Sequence, residues 1–271
     1  MAPSPSARLL NSAPPWLAGA AARLLGKDAF SGVAGRPTPA EDVAKLAGDG
    51  WELTTLPVNG AQLTGLVREP SSADAPWVLF FAGLSDQLLK GSRAHMSELI
   101  GERDVGVASF AYRGFDTSTG FATPESFADD ALAQVDLLKA RGVGLERLHV
   151  IGFSLGTASA SLLGEALAAR GERPASTTFL SPGIGPAAVA PWALPFLRGP
   201  FQLRRAYAAT PSPALMIAAT RDQALPVDVH AHPARDALAE RCVRYLELDG
   251  AHVATLEAPE ALLAVRDFVG I

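Results

Sequence analysis

The run Leu148-His149-Val150-Ile151-Gly152-Phe153-Ser154-Leu155-Gly156-Thr157-Ala158 decides how the rest of the chain is read. Leu148–Phe153 is short and apolar, the pattern of a strand buried on both faces. From Leu155 to Arg170 the chain is rich in Ala and Leu and is predicted to be a long helix. Between them stands Gly152-Phe153-Ser154-Leu155-Gly156. A sharp strand-to-helix turn lifts a serine clear of the backbone, at the cost of strained dihedrals. That strain is tolerated where the flanking positions lack bulk, hence a glycine two before and two after. A serine hydroxyl is a weak nucleophile until a base activates it. The helix N-terminus behind the turn adds free N–H groups and the positive end of its dipole. Ser154 is therefore a candidate nucleophile, and a base and an orienting acid are to be sought downstream.

Five histidines are available: His95, His149, His230, His232 and His252. His149 lies in the strand leading to Ser154 and cannot reach round the turn. His95 falls on an early helix. His230 and His232 open a late helix, as surface or capping residues. His252 follows the last predicted strand, in Leu248-Asp249-Gly250-Ala251-His252, and is the candidate base. For the acid, Asp222 follows the strand Ala214–Ala219 (ALMIAA). Asp228 reads as a helix-approach or capping residue, and Asp249 as a turn former.

The wider pattern agrees. Trp51–Val58 and Gln62–Arg68 flank Asn59-Gly60, a hairpin signal. Strands are then predicted at Trp77–Phe81, Val105–Ala111, Leu148–Phe153, Thr177–Leu180, Ala214–Ala219 and Val243–Leu248. They alternate with helices at Ser92–Glu102, Glu125–Ala140, Leu155–Arg170, up to Arg241, and Pro259–Val269. This predicts an α/β fold, a mostly parallel sheet of about eight strands with helices on both faces. Ligand-facing loops then gather at the carboxyl ends of the strands. Residues 51–271 form this domain. Residues 181–213 interrupt the alternation and, being apolar, are expected to form a short cap. Residues 1–50 are read as a partly helical extension, with one short helix at Pro39–Ala47. Trp16–Leu25 reads as a short amphipathic helix, because Pro14-Pro15 opens it and Arg23 interrupts it, unlike the core of a secretory signal.

Composition sets the outer limits. Apolar residues make up 48% of the 271 and charged residues 19%, so the chain buries a large core. A net charge of −5, without a basic run, argues against nucleic acid as a partner. The lone Cys242 excludes an intrachain disulfide framework and a CxxC site, and with the weak leader the expected location is cytoplasmic. No run is long enough to be a transmembrane segment. No metal motif and no dinucleotide GxGxxG occurs, so no metal and no cofactor is expected.

The order Ser154, Asp222, His252, the glycine-flanked serine and the Asp222-to-Pro226 spacing together resemble the α/β-hydrolase superfamily over residues 51–271. Ala111-Tyr112-Arg113-Gly114-Phe115 and the segment Pro124–Phe127 resemble its cap-poor acylaminoacyl-peptidase and Bem46-like branch. The resemblance implies a serine hydrolase with Ser154 as nucleophile, His252 as base and Asp222 as orienting acid. It also implies an oxyanion hole from the backbone N–H groups of Leu84 and Leu155. Relatives often carry His-Gly where this chain has Ala82-Gly83, so one packing side chain is missing there. Asp86 and Gln87 read as contacts to a polar substrate group or as solvated residues. Arg113 is either a clamp for a substrate carboxylate or a brace for its own turn. Phe153, Trp192 and Phe196 are candidate substrate contacts, the latter two alternatively packing within the cap.

The expected activity is cleavage of a carboxylic ester or thioester of a small to medium acyl substrate through an acyl-enzyme. An acyltransferase or amidase/peptidase would use the same residues, and a silent binding scaffold would keep the pocket without the chemistry.

Overall fold

The computed structural model describes residues 38–84, 87–120, 122, 124–184 and 203–271. The predicted helix at Trp16–Leu25 and most of the expected cap lie outside them. The chain opens with a short helix, α1 (Ala40–Ala44), whose Val43 is buried in the core. Strands β1 (Trp51–Val58) and β2 (Ala61–Arg68) pair antiparallel. Asn59 (φ 45°) and Gly60 (φ 78°) make their two-residue turn, both left-handed as such a turn requires.

Strands β3 (Trp77–Phe81), β4 (Gly106–Phe110), β5 (Leu148–Phe153), β6 (Ser176–Leu180), β7 (Ala214–Ala219) and β8 (Cys242–Leu248) follow. Helices α2 (Leu88–Ile100), α3 (Pro124–Ala140), α4 (Gly156–Ala169), α5 (Leu203–Ala209), α6 (Ala231–Leu238), α7 (Ala254–Glu257) and α8 (Pro259–Val269) lie among them. The eight strands form one sheet in the order β1-β2-β4-β3-β5-β6-β7-β8. It is parallel from β4 to β8, with β2 antiparallel to β4.

The two sheet faces divide the core by strand parity. Val78, Phe80, Ile151, Leu215 and Ile217 pack with α2 and α8. Trp77, Leu79, Phe81, Val150 and Met216 pack with α3, α4, α5 and α6. This explains why WVLFF and ALMIAA are apolar without alternation: both of their faces are covered.

Element bounds differ from expectation mainly at helix starts. α2 begins at Leu88 rather than Ser92, because Asp116 supplies a cap from a distant loop: its Oδ2 accepts the Leu89 N–H at 2.9 Å. The stretch from Ser181 to Pro213 ends in α5, whose Leu203, Ala206 and Tyr207 are core residues under the sheet.

Helix α4 leaves β5 almost in contact with β3. A Cβ on Gly156 would stand 1.9 Å from the Phe81 carbonyl oxygen, and one on Gly152 2.5 Å from the Gly156 oxygen. Gly156→Ala is thus expected to cost about 3 kcal/mol or more of stability, since backbone must move to admit the methyl. Gly91→Ala in α2, where nothing lies within 4 Å, should gain up to about 1 kcal/mol. Urea titration of both variants reads the contrast.

His149 on β5 is paired through Nδ1 with Ser176 Oγ at 2.8 Å, and burial pushes its imidazole down to about 4. The unfolded chain therefore takes up a proton between the ordinary value of 6.5 and about 4 that the folded chain refuses. Stability falls through that window as acid is added and levels below it. His149→Gln should reduce this slope by up to about 1.4 kcal/mol per pH unit, leaving the share contributed by buried His230.

Candidate functional site

Ser154 sits in the left-handed region at φ 52°, between β5 and α4. Its backbone is held on both sides. Its N–H donates to Leu180 O at 2.9 Å, and its carbonyl accepts from the Thr157 N–H at 3.0 Å and from Thr157 Oγ1 at 2.6 Å. The strain is local, and neighbouring backbone over-determines it.

From β7 and β8, at the same sheet edge, come Asp222 and His252. His252 Nδ1 lies 2.5 Å from Asp222 Oδ2, and His252 Nε2 lies 2.8 Å from Ser154 Oγ. An ionised carboxylate can only accept, so Nδ1 carries the proton and Nε2 is left to accept from the serine hydroxyl. Asp222 is 5% exposed. Its other oxygen accepts the N–H groups of Ala224 (2.9 Å) and Leu225 (2.8 Å), so the carboxylate is fixed before His252 reaches it.

Two further residues hold His252: Ser181, which the sequence reading passed over, and Phe153, expected there as a substrate contact. Ser181, just after β6 and itself at φ 46°, donates its hydroxyl to the His252 carbonyl at 2.8 Å. It is also paired with Thr255 Oγ1 at 3.0 Å. Phe153 packs its ring 5.2 Å from the His252 imidazole, centre to centre. The only advance signal for Ser181 was a polar residue directly after an apolar strand end.

The loop after β3 runs beside the serine. A Cβ on Gly83 would meet Phe153 at 2.8 Å and Ser154 Cβ at 3.2 Å, so glycine is what lets this loop approach. Among the described residues the N–H groups of Leu84 and Leu155 have no hydrogen-bond partner. Tyr112 supports this loop from outside it. Its buried phenol donates to the Ala82 carbonyl at 2.6 Å, and burial holds that phenol well above the usual tyrosine range.

Arg113 is a brace. Its guanidinium grips Asp130 through Nε (3.0 Å to each oxygen) and Nη2 (2.6 Å), with Nη2 also 3.4 Å from Val58 O. Burial pushes the Asp130 carboxyl up, against the pull of Arg113. Of the other candidates, Asp249 pairs with Arg221 at 2.9 Å and Asp228 with His232 at 3.1 Å, both at the surface. His230 is buried rather than superficial: its Nδ1 accepts the Ile184 N–H at 3.2 Å. Asp86, Trp192 and Phe196 lie outside the described residues.

Beside Gly83 and Leu84 opens a cleft of about 530 Å³. Phe80, Ala82, Phe153 and Leu256 give it an apolar side, and the first turns of α2 form the opposite wall. That wall is tied down from outside. Asp116 caps it and also accepts from Thr38, while Arg93 reaches the carbonyl of Leu46 (2.9 Å) and the carboxylate of Asp49 (2.7 Å). Among the described residues, no group of His, Cys, Asp and Glu is arranged to hold a metal ion, and no helix is long and apolar enough to cross a membrane.

No family model matches the chain, and no curated protein matches it. Solved structures do. An esterase of Pyrococcus furiosus aligns with TM-score 0.66 at 19% identity, over 87% of this chain and 97% of that one. The enol-lactonase of Burkholderia xenovorans LB400 aligns with TM-score 0.59 at 20% identity, over 80% of this chain and all (100%) of that one. A thioesterase domain from the curacin biosynthetic pathway aligns with TM-score 0.57 at 13% identity, over 83% and 100%. With its strand order, its strained serine turn and these likenesses together, the chain has the α/β-hydrolase fold.

Proposed function

We propose that this protein is a serine hydrolase that cleaves a carboxylic ester or thioester of a small to medium acyl substrate. The observation that carries the reading is the hydrogen-bonded row Ser154 Oγ, His252 Nε2/Nδ1 and Asp222 Oδ2, at 2.8 and 2.5 Å. Three groups in that order, with the serine strained outward and the carboxylate buried, are what nucleophilic acyl transfer needs.

In the proposed cycle Ser154 Oγ attacks the substrate carbonyl carbon while His252 Nε2 takes its proton. The carbonyl oxygen gains the charge and is met by the N–H groups of Leu84 and Leu155. Collapse expels the alcohol or thiol, which leaves with the proton from Nε2. Water then attacks the acyl-serine, giving its proton to Nε2, and a second collapse returns that proton to Ser154 and frees the acid. Asp222 keeps the Nε2 lone pair aimed at the serine and stabilises the imidazolium. A cleft of about 530 Å³ suits a small or medium acyl group, within the usual range for small-molecule sites. That structural neighbours include an esterase, an enol-lactonase and a thioesterase supports acyl–oxygen or acyl–sulfur cleavage as the reaction class.

Intact mass spectrometry after a fluorophosphonate probe tests the reading. One adduct is expected on the wild type and none on Ser154→Ala. A folded wild type left unlabelled, or labelled equally in the variant, would overturn it. Asp222→Asn should lower kcat by about 10⁴, through loss of the productive tautomer. Tyr112→Phe tests the support of the oxyanion loop. It should lower kcat by roughly tenfold while leaving KM nearly unchanged, because Ala82 O loses its donor and the Leu84 N–H its fixed aim.

A further inference from the structure

The two walls of the cleft beside Ser154 differ in chemistry. One is apolar, from Phe80, Ala82, Phe153 and Leu256. The other is a stripe of α2 on which Lys90 and His95 are the only ionisable side chains among the described lining residues. Gly91 and His95 are one helical step of four apart, so they lie on one face; Lys90 stands roughly a quarter turn round the helix, exposed at the rim, where its long side chain borders the cleft. Gly91 leaves the middle of the stripe open, with nothing within 4 Å of where a Cβ would stand.

Neither basic side chain is engaged elsewhere among the described residues. Among the described residues Lys90 and His95 make no hydrogen bond and no ion pair, although α2 carries a third basic residue, Arg93, that is fully committed to Leu46, Gly48 and Asp49. The arrangement separates roles along one helix. Arg93 fastens the wall to the outside, while half-buried His95 and exposed Lys90 border the cleft. An apolar cleft that ends against unpaired basic groups accommodates a hydrocarbon chain with a negative charge away from the reacting carbon.

Resting on the hydrolase reading above, we propose that the acyl group cleaved at Ser154 carries a carboxylate at its far end, held by Lys90 and His95. The substrate class is then the half-ester or half-thioester of a dicarboxylic acid. Hydrolysis adds one water across the acyl–oxygen or acyl–sulfur bond, and the products are the alcohol or thiol and the free dicarboxylate. The remote carboxylate is a handle and does not react.

The test compares p-nitrophenyl hydrogen adipate with p-nitrophenyl hexanoate, which replaces the terminal carboxylate by a methyl group. The ratio of kcat/KM, acid over neutral, is expected to favour the acid about tenfold in the wild type. It should fall about tenfold in Lys90→Gln, invert in Lys90→Glu and fall severalfold in His95→Gln. Lys139→Gln, on the opposite side of the sheet, changes net charge equally and should keep the wild-type ratio. A ratio within twofold of wild type in Lys90→Glu would overturn the proposal. A second arm needs no turnover: calorimetry of monobutyl adipate and its neutral methyl ester on Ser154→Ala. Equal binding of acid and methyl ester overturns the anion site, whatever the labelling experiment gives. Preferred binding of the acid, lost in Ser154→Ala/Lys90→Glu, together with no fluorophosphonate adduct on the wild type, would leave the anion site standing and the hydrolase reading refuted.

Discussion

The turn at Ser154 is the point on which the rest of the molecule depends. A non-glycine residue at φ 52° costs free energy, and the chain around it holds the residue there. β5 arrives between β3 and β6, α4 leaves hard against β3, and Gly156 passes the Phe81 carbonyl where no side-chain carbon would fit. Leu180 on one side and Thr157 on the other complete the hydrogen bonds of the serine backbone. The strain is balanced by buried, paired backbone rather than by the serine's own contacts.

The parallel sheet supplies the other half of the geometry. Because β3, β5, β6, β7 and β8 all point the same way, the loops after them emerge at one edge. His252 after β8 thus comes within hydrogen-bond range of a serine far away in sequence, and Asp222 after β7 within range of His252. Precision is then added by short local bonds: the Ala224 and Leu225 N–H groups on Asp222, and Ser181 on the His252 carbonyl. Tyr112 shows the same economy at the loop after β3, where a phenol from the end of β4 holds a carbonyl that a small Ala82 side chain could not steady.

Much of this was readable beforehand because it rests on local rules. Asn59-Gly60 marked its hairpin through left-handed backbone, and WVLFF marked a doubly covered strand through unbroken apolar character. Ser154, Asp222 and His252 were legible because each follows a recognisable strand, so parallel topology alone brings them to one edge. The start of α2 was misjudged because its cap is Asp116, a residue whose proximity no local pattern announces. Arg113 carried two readings until Asp130, on a separate helix, was seen to occupy its guanidinium.

The sequence by itself determined the fold class, the strand and helix order, and the identity of the three residues that meet at the sheet edge, since periodicity, glycine placement and position after a strand are properties of short stretches. Tertiary structure alone decided which hydrogen bonds steady those residues, which of the basic side chains on α2 is spent as a fastening and which two border the cleft, and that a tyrosine supports the loop after β3. Those outcomes depend on distances between segments far apart in the chain, and such distances exist only once the sheet has closed both of its faces.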